Sequence, residues 1–439
     1  MDYPPVRSRS VVALIALSVA AFAYVTSETL PIGLLGLISR GTHSSLSAVG
    51  LLVTWYGLIV VVATLPLTQL TRRVPRRHLL SALLGIFVLA SLGSALASDY
   101  GLLLATRIAT ALSQAVFWAV VVSSAAGMFP PRVRGRAVGL VFAGSSLAAL
   151  LGVPAGTWLG QHFGWRISFA ALSGLGLITM VAVAALLPTT KPGESETAAG
   201  TAPDARRYWL TIAVTSLAAT GSFVSFTYVT PFLTQVAGFS LGALSVILLI
   251  RGIAGTAGVA VGARMADWNP WAAIGAPVAT QTLALFVLYL AGGQPVAAVI
   301  LVSLAGLSFS AMTTALAGRV LRVAPGSVDL AAAGTSMAVN VGITAGSFIG
   351  SVLLPGFGVR STALAGALLS AAALIAVFGE LRLRPRPGLG NERQEQIARR
   401  RSGRSPIEPR PVTPVGVAKI HRAREIGVTK INIAARKEH

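Results

Sequence analysis

The chain has 439 residues, 54% of them hydrophobic and only 11% charged, with a mean hydropathy of +0.75. A soluble domain carries about 25% charged residues, so this composition excludes a soluble enzyme or binding module and defines a polytopic membrane protein. Without cysteine there is no disulfide or thiolate chemistry, five scattered histidines offer no metal site, and the net charge of +21 is no nucleic-acid signature, because +10 of it lies in residues 381–439.

A helix needs about 20 apolar residues to cross roughly 30 Å of hydrocarbon. Twelve segments qualify: 11–37, 46–68, 78–98, 101–128, 137–160, 167–188, 209–233, 241–262, 271–291, 295–317, 329–353 and 361–379. The expected fold class is therefore all-α, with twelve transmembrane helices. With residues 1–10 in the cytoplasm, the inner segments before the tail hold 15 lysines and arginines, against Arg40, Arg166 and Arg360 outside. Positive charge gathers on the cytoplasmic side, so both termini are expected there and the protein in the inner (plasma) membrane. The first apolar run is too long for a cleaved signal peptide, and Glu28 and Pro31 stand where cleavage would fall.

Span one contains TSETLPIGLL (26–35), and Glu28 within it is the only acid well inside any span. A charge at the bilayer centre costs at least about 2.5–3.5 kcal/mol, which makes such a residue a functional candidate by default. Span two carries Trp55 and Tyr56, and the loop after it, LTRRVPRRHLL (70–80), brings Arg72, Arg73, Arg76 and Arg77 to the inner face. Span four carries Arg107, then Gln114 and Trp118. At 1.5 Å per residue Glu28 lies about 26 Å above the inner surface and Arg107 about 8 Å below the outer one, so their depths match.

Span five holds Gly144, Gly152, Gly156 and Gly160, with Pro154 among them. Glycines four apart line one face and admit another backbone, while proline frees a carbonyl and bends a helix. The expectation is a packed interface between halves that open and close. Span eleven repeats the pattern with Gly334, Gly342, Gly346 and Gly350. FGWR (163–166) follows span five and FGVR (357–360) follows span eleven; Glu28 precedes Pro31 by three residues, as Tyr228 precedes Pro231. The offsets are 190, 194 and 200 residues. Two six-helix halves, 11–188 and 208–380, are thus joined by a cytoplasmic linker, 189–207, rich in small, polar and turn-forming residues. Parallel repeats of this kind are one plan of secondary transporters.

In the second half, Arg251 lies about ten residues into span eight, near the midplane, as an anion or hydroxyl contact or a tuning charge. Asp267 falls beside Arg264 in GARMADWNP (262–270), the counterpart of the basic loop, and Asn340 lies in span eleven. Trp55, Tyr56, Trp118, Tyr228 and Asn340 are candidate stacking faces and hydrogen-bonding groups for a sugar or amphipathic solute. Residues 381–439, Pro- and Arg-rich without apolar periodicity, are expected to be a disordered cytoplasmic tail able to meet anionic headgroups.

The basic loop, ATRIATALSQAVFW (105–118), GSSLAALLGVPAGTWLGQHFGWR (144–166), TYVTPF (227–232) and NVGITAG (340–346) occur in an order that resembles the major facilitator superfamily. Within it the chain looks most like the sugar-efflux branch of the drug:proton antiporters, from about residue 10 to 380. The resemblance departs at Arg72 and Pro75, where the family loop has Asp and Gly, at Gln114, where the branch tends to have His, and at Arg251, where it is normally apolar. It implies that spans one and four line a central cavity, with Glu28 and Arg107 on facing walls, and that the Gly-Pro stretch of span five marks an antiporter.

The function expected is export of a small solute, a sugar or sugar-like compound, by proton antiport and alternating access; the alternative is a multidrug or antibiotic pump of the same superfamily. Glu28 would carry the proton, because the membrane interior favours its neutral form and a nearby guanidinium its charged form. One proton falling through 100 mV releases about 2.3 kcal/mol, enough for roughly a fiftyfold gradient. No phosphate-binding loop of the form G-x-x-x-x-G-K-[ST] is present, so ATP is not the expected energy source, and a lone acid without paired catalytic groups does not make an enzyme. The expected partners are the solute, protons and the bilayer, with no cofactor and no nucleic acid, for a chain acting as a monomer.

Overall fold

The computed structural model describes residues 8–130, 133–188, 204–323 and 328–382. Among them are twelve helices long and apolar enough to cross a membrane. The first four spans are α1 (Ser8–Gly41), α2 (Leu46–Thr71), α3 (Arg76–Ala95) and α4 (Tyr100–Gly127). Short connections set them antiparallel, and side chains close the helix starts. Ser45 accepts a hydrogen bond from Ala48 N–H, and Asp99 accepts one from Leu102 N–H at 2.9 Å.

Span five is broken. It runs as α5 (Arg134–Leu147), a π-turn at Ala148–Gly152, and α6 (Val153–Phe163). Pro154 has no N–H to offer the preceding turn, and the Val153 N–H reaches back five residues to the Ala148 carbonyl. α7 (Trp165–Leu186) completes the first half.

The second half opens with α8 (Ala205–Phe226), which starts inside the expected linker because Asp204 caps it, accepting from Arg207 N–H and pairing with Arg207 Nε at 3.3 Å. The rest of the linker (189–203), residues 1–7 and the tail from 383 lie outside the described residues. Span seven also breaks, at Thr227 and Tyr228, before α9 (Val229–Gln235), where Pro231 cannot donate to the Thr227 carbonyl. There follow α10 (Leu241–Trp268), α11 (Ala272–Ala291), α12 (Pro295–Val323), α13 (Val328–Phe357) and α14 (Ser361–Arg382).

The repeat is visible in the contacts. Gly164 and Gly358 both adopt positive φ (89° and 72°), a conformation suited to glycine. The arginine two residues after each bonds a carbonyl at the end of a neighbouring helix: Arg166 to Ala97 O and Arg360 to Leu290 O.

The glycine faces correct one expectation. A Cβ on Gly144, Gly152, Gly156 or Gly160 would meet Ser18, Thr26, Leu30 or Leu34 of α1, so this face packs inside the first half and not between halves. Gly334, Gly342, Gly346 and Gly350 press likewise on α8, at Tyr208, Ser216, Thr220 and Val224. All eight of these pairs are 126 residues apart in sequence. The halves meet through other glycines. Gly57 of α2 faces Thr344 of α13, and Gly252 of α10 faces the Ala149 carbonyl and Leu150 of the π-turn.

Candidate functional site

Glu28 and Arg107 are buried together, 7% and 1% exposed, where α1, α2 and α4 converge. Their relation differs from facing walls. Arg107 donates from one terminal nitrogen to Ser27 Oγ at 2.8 Å and from the other to the backbone carbonyl of Glu28 at 3.4 Å. No ion pair joins the two side chains among the described residues. The guanidinium instead lies over the Tyr56 ring, 4.5 Å from its centroid, with Phe169 of α7 at 5.9 Å. Such cation–π contacts contribute about 0.5–2 kcal/mol each. Both terminal nitrogens and the flat face of the guanidinium are used, while Nε, also buried, has no acceptor among the described residues.

The Glu28 carboxylate is held by Gln114, whose Nε2 donates to Oε2 at 2.8 Å. The Tyr56 hydroxyl donates to Gln114 Oε1 at 2.6 Å. Tyr56, Gln114 and Glu28 thus form a buried relay across α2, α4 and α1. One level away, Tyr24 donates to Ser113 Oγ at 3.1 Å, between the rings of Phe87 and Phe117. This arrangement can hold a carboxyl group in either protonation state. An amide donor serves the anion, and the other carboxylate oxygen keeps lone pairs for a proton.

Tyr56 and Gln114, read from sequence as cavity residues, are therefore fully buried and bonded to the acid or to its neighbours. Tyr228 is also buried, its ring pressed between Gly50 of α2 and Gly350 of α13 and its hydroxyl donating to the Ser347 carbonyl at 3.2 Å. It forms part of the seam between halves, not a cavity wall. Trp55 is 43% exposed and borders an almost wholly apolar groove of about 470 Å³ between α2 and α13, with Leu58, Val341 and Phe348. Asn340 lies beside that seam, its Nδ2 bonded to the Ser336 carbonyl of its own helix. Trp118 stacks on Phe142 of α5 at 5.9 Å. Arg251 stands apart in the second half, its guanidinium 3.6 Å from the centroid of Phe226.

Arg72 closes α2, Arg73 follows it, and Arg76 and Arg77 open α3. Asp267 lies in the last turn of α10 and forms no ion pair with these arginines or Arg264 among the described residues. Ser27 was missed by sequence reasoning, though its place beside the only intramembrane acid is a signal that could have found it.

The sequence model of the Major Facilitator Superfamily matches residues 17–328. Similar curated proteins include "Uncharacterized MFS-type transporter YtbD" of Bacillus subtilis (strain 168), 35% identical over 83% of this chain and 93% of its own length. "Probable sugar efflux transporter" of Mannheimia succiniciproducens is 32% identical over 82% and 92%. Among solved structures, a bacterial homolog of the human lysosomal transporter Spinster superposes with a TM-score of 0.69 at 16% identity, over 88% of this chain and 100% of that one. The human organic anion transporter MFSD10 (TETRAN) gives 0.61 at 14%, over 85% and 100%. The twelve membrane-spanning-length helices among the described residues and these relatives define a membrane transporter. The chain belongs to the major facilitator superfamily.

Proposed function

We propose that this transporter exports a small sugar-like solute in exchange for protons, with Glu28 as the proton carrier. The observation that carries the reading is the state of the acid: the only carboxylate well inside a span is buried, held by a neutral amide, and not tied off by the arginine beside it. A carboxylate locked in a salt bridge would resist protonation; one held by Gln114 alone can take and lose a proton as the cavity changes sides. The 32% identical relative named "Probable sugar efflux transporter" supports the substrate class. The excess of arginine in the loops on the terminal side supports a cytoplasmic location of both ends in the inner membrane.

The test uses everted vesicles with a pH-sensitive dye, energised and then challenged with a panel of sugars, sugar acids and amphipathic drugs. Proton release on addition of a sugar or of a sugar acid is the expected result. Release with drugs alone makes the chain a multidrug pump, and release with neither removes proton antiport.

A further inference from the structure

Arg251 is the one cation near the middle of a span that the protein leaves without a hydrogen-bonding partner among the described residues. It lies ten residues into a 28-residue helix. Its five N–H groups find no acceptor there, and its guanidinium lies against the face of Phe226. Its side chain runs over Gly306 of α12, where a Cβ would strike Arg251 Cγ. It therefore points between α8 and α12, away from the row Val246, Ile250 and Ile253 that α10 exposes on its other side. The residue as a whole is half-buried.

The repeat sharpens this. Tyr56 and Arg251 occupy the same position of the two halves. The starts of their helices (Leu46, Leu241), the glycines that follow them (Gly57, Gly252) and the neighbours across the helix pair (Ala111, Gly306) are all 195 residues apart. In the first half that position is a phenol tied to Gln114. In the second it is a longer cation with nothing to bind, and the small neighbour has lost its methyl group to let it pass.

We propose that Arg251, backed by Phe226, receives a carboxylate of the exported solute, so that the substrate is a hydroxylated organic acid and not a neutral sugar. This rests on the export reading above. A guanidinium offers two parallel N–H groups that match a carboxylate, and a site with one such fork and no acid of its own selects an anion. Outward movement of the anion and inward movement of a proton both run with an inside-negative potential.

The probe is gluconate, with glucose as its neutral counterpart, in counterflow across proteoliposomes of the full chain. Wild type is expected to exchange labelled gluconate and not glucose. Arg251→Gln should weaken gluconate exchange about thirtyfold or more, and Arg251→Lys, which keeps the charge but loses the fork, should fall between. Thermal unfolding of each purified variant separates loss of binding from loss of fold. Equal exchange of glucose, exchange of neither, or unchanged gluconate exchange in well-folded Arg251→Gln overturns the proposal. Counterflow needs no net proton movement, so gluconate exchange without dye response would sink proton antiport alone.

Discussion

Arg107 bonds to the backbone carbonyl of Glu28 and leaves its carboxylate to Gln114. The arginine thus fixes where α1 lies against α4, while the amide fixes how the acid is presented. These are separable roles, and substitutions should separate them.

Glu28→Gln is expected to fold normally and to lose uphill export. Gln is nearly isosteric and removes a charge whose burial costs at least about 2.5–3.5 kcal/mol. Substrate counterflow without a gradient should persist while substrate-induced pH change disappears. Uphill pumping by this variant would show that the acid is not the obligatory carrier.

Arg107→Ala should impair transport as severely as loss of Glu28, but with a different signature. It removes the tie to Ser27 and the filling between Tyr56 and Phe169, at a cost of about 2–4 kcal/mol. The unfolding midpoint should fall by several degrees, in contrast to Glu28→Gln. Normal transport with a normal midpoint would refute a role for the arginine in placing α1.

Gln114→Leu cuts the relay on both sides, leaving the Tyr56 hydroxyl and the Glu28 carboxylate without their partner. A buried polar group left unpaired costs about 1–3 kcal/mol. The pH profile of transport should change shape while the protein still inserts. An unaltered profile would mean that the acid is tuned by something other than Gln114.

Asp99 offers a control outside the membrane. The Leu102 N–H, then the Ser98 hydroxyl, hold its carboxyl below the usual range. A depressed folded-state value stabilises the protein above the unfolded carboxylate value and ceases to do so as pH falls through the folded one. Asp99→Ala should therefore unfold earlier than wild type at neutral pH, with the gap closing in strong acid. A gap that stays constant with pH would place the cap's contribution in something other than charge.

Gly152→Val should block insertion or sharply reduce the folded yield, because its side chain would strike Thr26. Gly174→Ala, with open space at its Cβ position, should be neutral or gain up to about 1 kcal/mol of helix propensity. Comparable yields of the two variants would show that the glycine face is not a close contact.

The spans were legible because length and hydropathy are local properties, and the charge of the loops is read residue by residue. Glu28 was legible because nothing else in the spans resembles it. Its partners were not. Tyr56 and Gln114 look like cavity residues in a sequence, since a polar or aromatic side chain in a span says nothing about which neighbour it turns toward. The glycine spacing gave a face but not the helix it meets: Gly152 turns to α1, whereas two residues earlier Leu150 turns to Gly252 in the other half. Pro154 announced a bend in span five but not a π-turn, and the two-residue gap before α9 in span seven, near Pro231, was not expected from the sequence.

The path from Thr26 through Gly152 and the π-turn to Gly252 passes largely through main chain. Long side chains absorb small displacements by changing rotamer; carbonyls and glycines have none to change. A shift of α1 beside Glu28 therefore meets little slack before it reaches the residue next to Arg251. Glu28 and Arg251 lie beside the two ends of this stiff linkage, so that, on the role proposed for Glu28, a charge neutralised in one half would be felt as motion in the other.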